Sequence, residues 1–236
     1  VTLTRRRVAE RMDDPAISPE AHIHALSGLA RLNAVSRAHR LLWPPLRELA
    51  SRAHGPLQVL DVASGGGDLP RRLDALARRA GLTLHWILSD RSRQALAQSI
   101  GRARASGMRC EGAVIDVLQE PLPQADVVIN SLFLHHLDPN DVARVLRSMR
   151  DAARLAVGVT DLRRTRRALA LVWLGSRLVT RSPVVHHDAM ASVRAAHEPA
   201  EIRAMAAHAG LDAASVRVMD AVRWRLWWHG PGGATA

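Results

Sequence analysis

Residues 59–69, Val-Leu-Asp-Val-Ala-Ser-Gly-Gly-Gly-Asp-Leu, have the types and spacing that suit a nucleotide-type ligand. A β-branched run leads into Asp61, then a glycine cluster, then Asp68 and a helical pattern. Gly65 and Gly67 lack Cβ atoms, so the backbone can turn sharply and lie against a bound molecule. A dinucleotide fingerprint, Gly-x-Gly-x-x-Gly, needs its third glycine at position 70, which is Pro70. That departure argues against NAD. Asp90, Asp116 and Asp161 each end a strand-like run, and in open parallel sheets ligands collect beyond the carboxyl ends of the strands. Asp90 follows Gly67 by 23 residues, where an acid can hold both ribose hydroxyls. One such acid alone is better explained as a helix N-cap. Polar groups at four of the first five strand ends favour a ligand.

The elements that position these residues follow from periodicity. From Leu57 onward strand-like and helix-like runs alternate, which predicts an α/β fold with a mostly parallel sheet. Strands are expected at 58–62, 82–89, 109–115, 125–131 and 155–159, with helices at 69–80, 92–105 and 139–153. An apolar helix with arginines at its start is expected over 163–181, then a loop carrying His186, His187 and Asp188. A further helix opens at Glu198-Pro199 and stops at Gly210, and two strands near 214–220 and 222–228 are expected to pair as an edge hairpin. Before Leu57 the text reads as helices. Arg5–Met12 is expected as a short basic helix, and Ser18-Pro19-Glu20 opens a longer one. Pro44-Pro45 is expected to break or kink the pattern before a last helix to Arg52. The division that results is 1–54 as an N-terminal helical extension, 55–162 as the ligand-binding core, 163–197 as a lid insertion, and 198–236 as a C-terminal helix and hairpin completing the core.

The segment 59–69 resembles motif I of the class I S-adenosylmethionine (SAM) methyltransferases, with Asp61, Gly65 and Gly67 in the motif's places. The fold implied is a Rossmann-like, seven-stranded, mostly parallel sheet with helices on both faces. The resemblance places Asp61, Ala63, Ser64, Gly65, Gly67 and Asp68 around the cofactor's methionine end. It places Asp90 and Arg91 at the ribose, Asp116 and Val117 at the adenine, and Asn130 and Ser131 at the end of the fourth strand. Leu134-His135-His136-Leu137 is similar to a segment of the ubiquinone/menaquinone-type small-molecule enzymes. In enzymes that methylate base amines this place carries Asn/Asp-Pro-Pro-Tyr/Phe, and Ser131 and Leu132 replace both prolines. A histidine here suits a general base at neutral pH, and Asp161 can orient it. The sequence does not rank His135 against His136. His186, His187, Asp188 and Arg194, with the N-terminal Met12–Pro15 and Leu29–Asn33, resemble a subgroup linked to type III polyketide pathways.

Composition bounds the partners. The chain has 236 residues, no run of 18 apolar ones, and an N-terminus without the apolar region of a secretion signal. Cys110 is the single cysteine, which excludes an intrachain disulfide and a zinc–cysteine cluster. A cytoplasmic protein is expected, as a monomer or homodimer. The +11 charge raises nucleic acid as a partner, but lysine is absent and all 33 basic residues are arginine, as a GC-rich coding bias produces. Six of the arginines lie between Leu162 and His187, a stretch with no acid, so the charge is a local patch. With Trp173 and the surrounding leucines this patch suits the rim of a greasy pocket, or a basic amphipathic helix resting on a membrane. No metal is expected, because adjacent histidines such as His186 and His187 point apart on regular backbone.

The reading is therefore a SAM-dependent methyltransferase, with S-adenosylhomocysteine as product. The methyl group goes to an oxygen, less favourably a carbon, of a small aromatic, quinone-like or polyketide-derived acceptor. Two alternatives remain at this stage: a nucleic-acid methyltransferase with salt-sensitive RNA binding, and a SAM-binding module without turnover.

Overall fold

The computed structural model describes residues 2–13, 17, 18, 20, 24, 25, 28, 31, 32 and 38–230. Val59 and Leu60 show how the sheet is built. They point to opposite faces, as alternate strand residues must, and both are fully buried. Val59, Val127, Ile129 and Ala156 pack into the apolar cluster on one face, and Leu60, Val128, Val157 and Val159 into that on the other. Strands buried on both faces need helices on both faces. These are α1 (His39–Arg52), α2 (Asp68–Arg79) and α3 (Arg93–Ala105) against the first cluster, and α4 (Pro139–Ala152) and α7 (Pro199–His208) against the second.

Among the described residues seven strands form one sheet in the order β3-β2-β1-β4-β5-β7-β6. They are β1 (Leu57–Val62), β2 (Leu84–Asp90), β3 (Cys110–Val114), β4 (Ala125–Ser131), β5 (Ala153–Leu162), β6 (Ser215–Val218) and β7 (Arg223–His229). β1 to β5 are parallel, β7 is antiparallel to β5, and β6 and β7 form the antiparallel edge pair. β1 sits between β2 and β4, so the strand order reverses there. The crevice beyond the carboxyl ends of β1 and β4 is where such a sheet binds ligands. The remaining helices, α5 (Arg166–Val179) and α6 (Pro183–Ala195), follow β5 and cover that end.

Three local expectations are overturned. Arg5–Met12 is not a helix: residues 3–10 are irregular, with a single turn over Arg11–Asp13. Its backbone is taken up elsewhere, Leu3 N–H donating to Arg164 O at 3.0 Å and Arg6 N–H to Arg194 O at 3.0 Å. The Arg5 guanidinium also donates to Ala195 O and Leu137 O, both at 2.7 Å.

Pro44-Pro45 does not break α1, which runs unbroken from His39 to Arg52. Pro45 has no N–H for the carbonyl four residues back, and Arg225 Nη1 donates to that Leu41 oxygen at 2.9 Å. Burial of Leu42, Leu46 and Leu49 then holds the helix.

His186, His187 and Asp188 are not in a loop but in α6, opened by Ser182, whose hydroxyl accepts from Val185 N–H, and by Pro183. The helix expected from Ser18 lies mostly outside the described residues; Glu20, His24, Ala25, Gly28, Arg31 and Leu32 are helical. The resemblance at Leu29–Asn33 also falls largely outside them.

Candidate active site

The loop after β1 is positioned by the end of β2. Ser64 N–H donates to Ser89 O at 2.8 Å, and Gly65 N–H to Asp90 Oδ2 at 2.9 Å. The other Asp90 oxygen accepts from Ser92 N–H at 2.9 Å, so this carboxylate ties the loop to the start of α3. Gly67 has φ +70° and precedes α2; a Cβ there would lie 2.3 Å from Ser99 Oγ. Only glycine fits both the dihedral and the space. Ala63 (φ 54°) and Leu132 (φ 57°) are the two described non-glycine residues in the left-handed region. They sit just past β1 and β4 and both line one cavity, which is where such strain concentrates.

That cavity has a volume of about 570 Å³. Its floor is the Ala63–Gly66 loop with Asp68 and Leu69, and Ser131 and Leu132 bound it at the end of β4. Asp61 lies below Ser64, whose hydroxyl donates to Asp61 Oδ2 at 2.8 Å. Burial pushes the Asp61 carboxyl up to about 7, against the Ser64 hydrogen bond. A positive group seated on this loop would hold it ionised.

β4 continues into a turn, Leu134–His136, that places two imidazoles on the cavity wall, their ring centroids 4.3 Å apart. His135 Nδ1 lies 2.7 Å from Asp161 Oδ1 and its backbone N–H donates to Asp161 Oδ2 at 3.1 Å. With the carboxylate as acceptor, Nδ1 carries the proton and Nε2 faces away. Both groups are almost wholly buried. Burial opposes charge on His135, yet the Asp161 carboxylate outweighs it and raises the imidazole pKa. Burial likewise opposes ionisation of Asp161, and His135 with the two backbone N–H donors holds it below the usual carboxylate range. His136 is driven the other way, to about 3, by burial and by the charge of His135.

A carboxylate absent from the sequence reading completes this corner. Glu10 lines the cavity, its Oε1 lies 3.8 Å from His135 Nε2, and it accepts a hydrogen bond from the Ser192 hydroxyl. One ligand atom each of Glu10, His135 and His136 falls within 4.8 Å of the others, a donor set that can take a divalent cation as well as a proton. The backbone of the Glu10 segment is held by Asp188, which accepts from Arg11 N–H at 2.8 Å and Met12 N–H at 3.0 Å. Nothing in the local sequence marks Glu10, because residues more than a hundred positions away place it. Arg72, Arg223 and His39 are further lining residues that spacing did not single out.

Of the residues proposed from sequence, Ala63, Ser64, Gly65, Asp68, Ser131, His135, His136 and Asp188 line the cavity. Asp61 and Asp161 each bond to a lining residue. Gly67 turns the chain into α2, and Asn130 is fully buried, its amide donating to Val62 O at 2.7 Å and joining the ends of β1 and β4. Asp90, Arg91, Asp116 and Val117 lie along the carboxyl ends of β2 and β3, outside the lining. Asp116 Oδ1 accepts from Leu118 N–H at 3.0 Å. Trp173, His186, His187 and Arg194 do not line the cavity: His186 Nε2 bonds Thr180 O at 2.8 Å, His187 Nδ1 is 2.9 Å from Asp188 Oδ1, and Trp173 and Arg194 are exposed.

A sheet reversed at β1, a glycine loop at the reversal and acids at the neighbouring strand ends define a Rossmann-like methyltransferase fold. Residues 59–155 match the family model described as Methyltransferase domain. No curated protein sequence matches the chain. Among solved structures, the chain is similar to magnesium protoporphyrin IX methyltransferase from Synechocystis PCC 6803 with bound S-adenosylhomocysteine. The identity is 15%, the match covers 93% of this chain and 91% of the other, and the TM-score is 0.55. It is also similar to an O-methyltransferase family 2 protein from Planctomyces limnophilus DSM 3776 in complex with apigenin, at 17% identity, 90% and 62% coverage, and TM-score 0.61. A third likeness is to the methyltransferase (CMeT) domain of the citrinin polyketide synthase, at 15% identity, 90% and 57% coverage, and TM-score 0.64. At these identities the likenesses bear on the fold.

Proposed function

We propose that the chain transfers the methyl group of SAM to an oxygen of a small aromatic, quinone-like or polyketide-derived acceptor. The observation that carries this reading is the buried Asp161–His135 pair on the wall of a mostly apolar cavity whose floor is the glycine loop. The loop fits the cofactor: its backbone is already fixed by Ser89 and Asp90, and Gly65 has open space where a Cβ would stand. Ala63 to Gly66, Asp68 and Ser131 would hold the methionine end, with Asp90 and Asp116 at the strand ends toward ribose and adenine. When bound, SAM supplies an electrophilic methyl group.

The chain's own residues then have two tasks. Leu132, Val172, Val179 and Val222 exclude water and align the acceptor, which supplies most of the rate for so reactive a donor. His135 Nε2 takes the acceptor's hydroxyl proton, and Asp161 holds the ring in the tautomer that leaves Nε2 free and stabilises the imidazolium. Glu10 adds negative charge on the Nε2 side. His136, kept neutral, lends its ring as a wall. Of the two histidines the geometry therefore favours His135. The apolar cavity and the proton acceptor favour a phenol or enol over a nucleic acid, whose basic track would have to run along exposed α5 instead.

The test is calorimetry with S-adenosylhomocysteine followed by turnover on a panel of phenols, with wild type, His135→Gln and His136→Gln. The expected result is cofactor affinity unchanged in both variants, with turnover lowered roughly 10²- to 10⁴-fold in His135→Gln alone. Binding without turnover on any phenol would leave a cofactor-binding module. Loss of turnover in EDTA, restored by a divalent cation, would make Glu10, His135 and His136 metal ligands.

A further inference from the structure

α5 has two unlike faces. Ala168 and Ser176 are buried and Val172, Gly175 and Val179 line the cavity. The opposite face carries Trp173 at 48%, Leu174 at 49% and Leu178 at 77% exposure, while Leu171, at 45%, lines the cavity. Interleaved with these are Arg166, Arg167 and Arg177, with Arg181 just past the helix, all exposed. Spacings of three and four residues put 166, 170, 173, 174, 177 and 178 on one side. No Asp or Glu occurs from 162 to 187. The Arg177 guanidinium carbon stands 4.2 Å from the Trp173 ring centroid, so the cation covers the aromatic face.

We propose that this face of α5 docks on an anionic lipid bilayer. A solvated face would not expose a tryptophan and two leucines together. The arrangement instead matches a helix lying in a membrane interface: apolar side chains and an indole at headgroup depth, and guanidinium groups reaching anionic phosphates. Charge complementarity selects this occupant. A second copy meeting this face about a two-fold axis would set arginines against arginines, in a chain of net charge +11. The helix is also the cavity's wall, so docking would bring the cavity beside the lipid phase. The docking does not depend on methyl transfer and holds whatever reaction the cavity supports.

The experiment is co-sedimentation of the full chain with vesicles of phosphatidylcholine alone and of phosphatidylcholine with phosphatidylserine. Binding is expected to be at least about tenfold stronger to the anionic vesicles, since the arginines supply the attraction. Leu174→Asp and Leu178→Asp change only exposed positions; circular dichroism and S-adenosylhomocysteine binding should match wild type while anionic-vesicle binding is lost. Equal binding to both vesicle types, or full binding by both variants, would overturn the proposal. So would a concentration-dependent dimer in size-exclusion chromatography that Leu178→Asp abolishes, since the occupant would then be a second copy.

Discussion

His135 and Asp161 shift each other's proton affinity in opposite directions, and the signs give testable consequences. A base must be deprotonated to act, so the raised His135 pKa puts the rising limb of the kcat/KM profile above the ordinary histidine value of about 6.5. Asp161→Asn removes the charge that raises it. The rising limb should move to lower pH while the plateau falls, and a limb that stays in place would show that another group titrates. Stability follows the same signs. The His135 contribution is fully present below its unfolded pKa and is lost as pH rises through the folded value. The Asp161 contribution is present above its unfolded pKa and is lost as pH falls through its depressed folded value. The melting-temperature gap between wild type and Asp161→Asn should therefore be widest between about pH 4 and 6.5 and should narrow on either side. At this scale the sequence was legible where chemistry is local. Asp61, Gly65 and the histidine pair were readable because each sits at a strand end with its own flanking signal. Glu10 was not, because the described groups at its carboxylate, Ser192 and His135, lie more than a hundred residues away in the chain.

At the scale of elements, the β1 loop and α2 depend on one dihedral angle and one close approach. Gly67→Ala adds a left-handed alanine and pushes a methyl group against Ser99 Oγ, which α3 holds fully buried. The backbone term alone costs about 1–2 kcal/mol. Chemical denaturation should show at least that loss, with weaker S-adenosylhomocysteine binding as the loop shifts. Ser99→Gly in the same chain should recover the part due to contact but not the part due to φ. Recovery of the whole loss would mean that the backbone there is unstrained. Strand positions were legible because apolar runs end at Asp90, Asp116 and Asp161 or at the glycine loop. The loop expected over His186–Asp188 is helical instead, because Ser182 and Pro183 supply the cap and first-turn proline of a helix start. Pro44-Pro45 misled for a physical reason as well, since the partner for the freed carbonyl, Arg225, comes from β7, nearly the whole chain away.

Taken whole, the molecule is a parallel sheet whose order is written in its alternation of runs, and whose cover is not. Residues 2–13 lie across α6 and the end of β4, through contacts no periodicity encodes. Among the described residues no helix is long and apolar enough to cross a membrane. Thr2 pairs with Thr165, and Arg5 bonds Ala195, which is 190 residues away. Residues 2–13 thus have no seat until β5, α5 and α6 exist. Closing so long a loop is paid for only after the sheet has formed. Residues 2–13 should therefore be the last to settle, and Glu10 reaches the cavity only with them. In refolding followed by stopped flow, far-ultraviolet circular dichroism should recover before the anisotropy of a fluorophore on the exposed position 8 reports docking of residues 2–13. Catalytic competence should return with the fluorophore signal, so that a chain can be folded by every measure of its sheet and still have its site open at one corner.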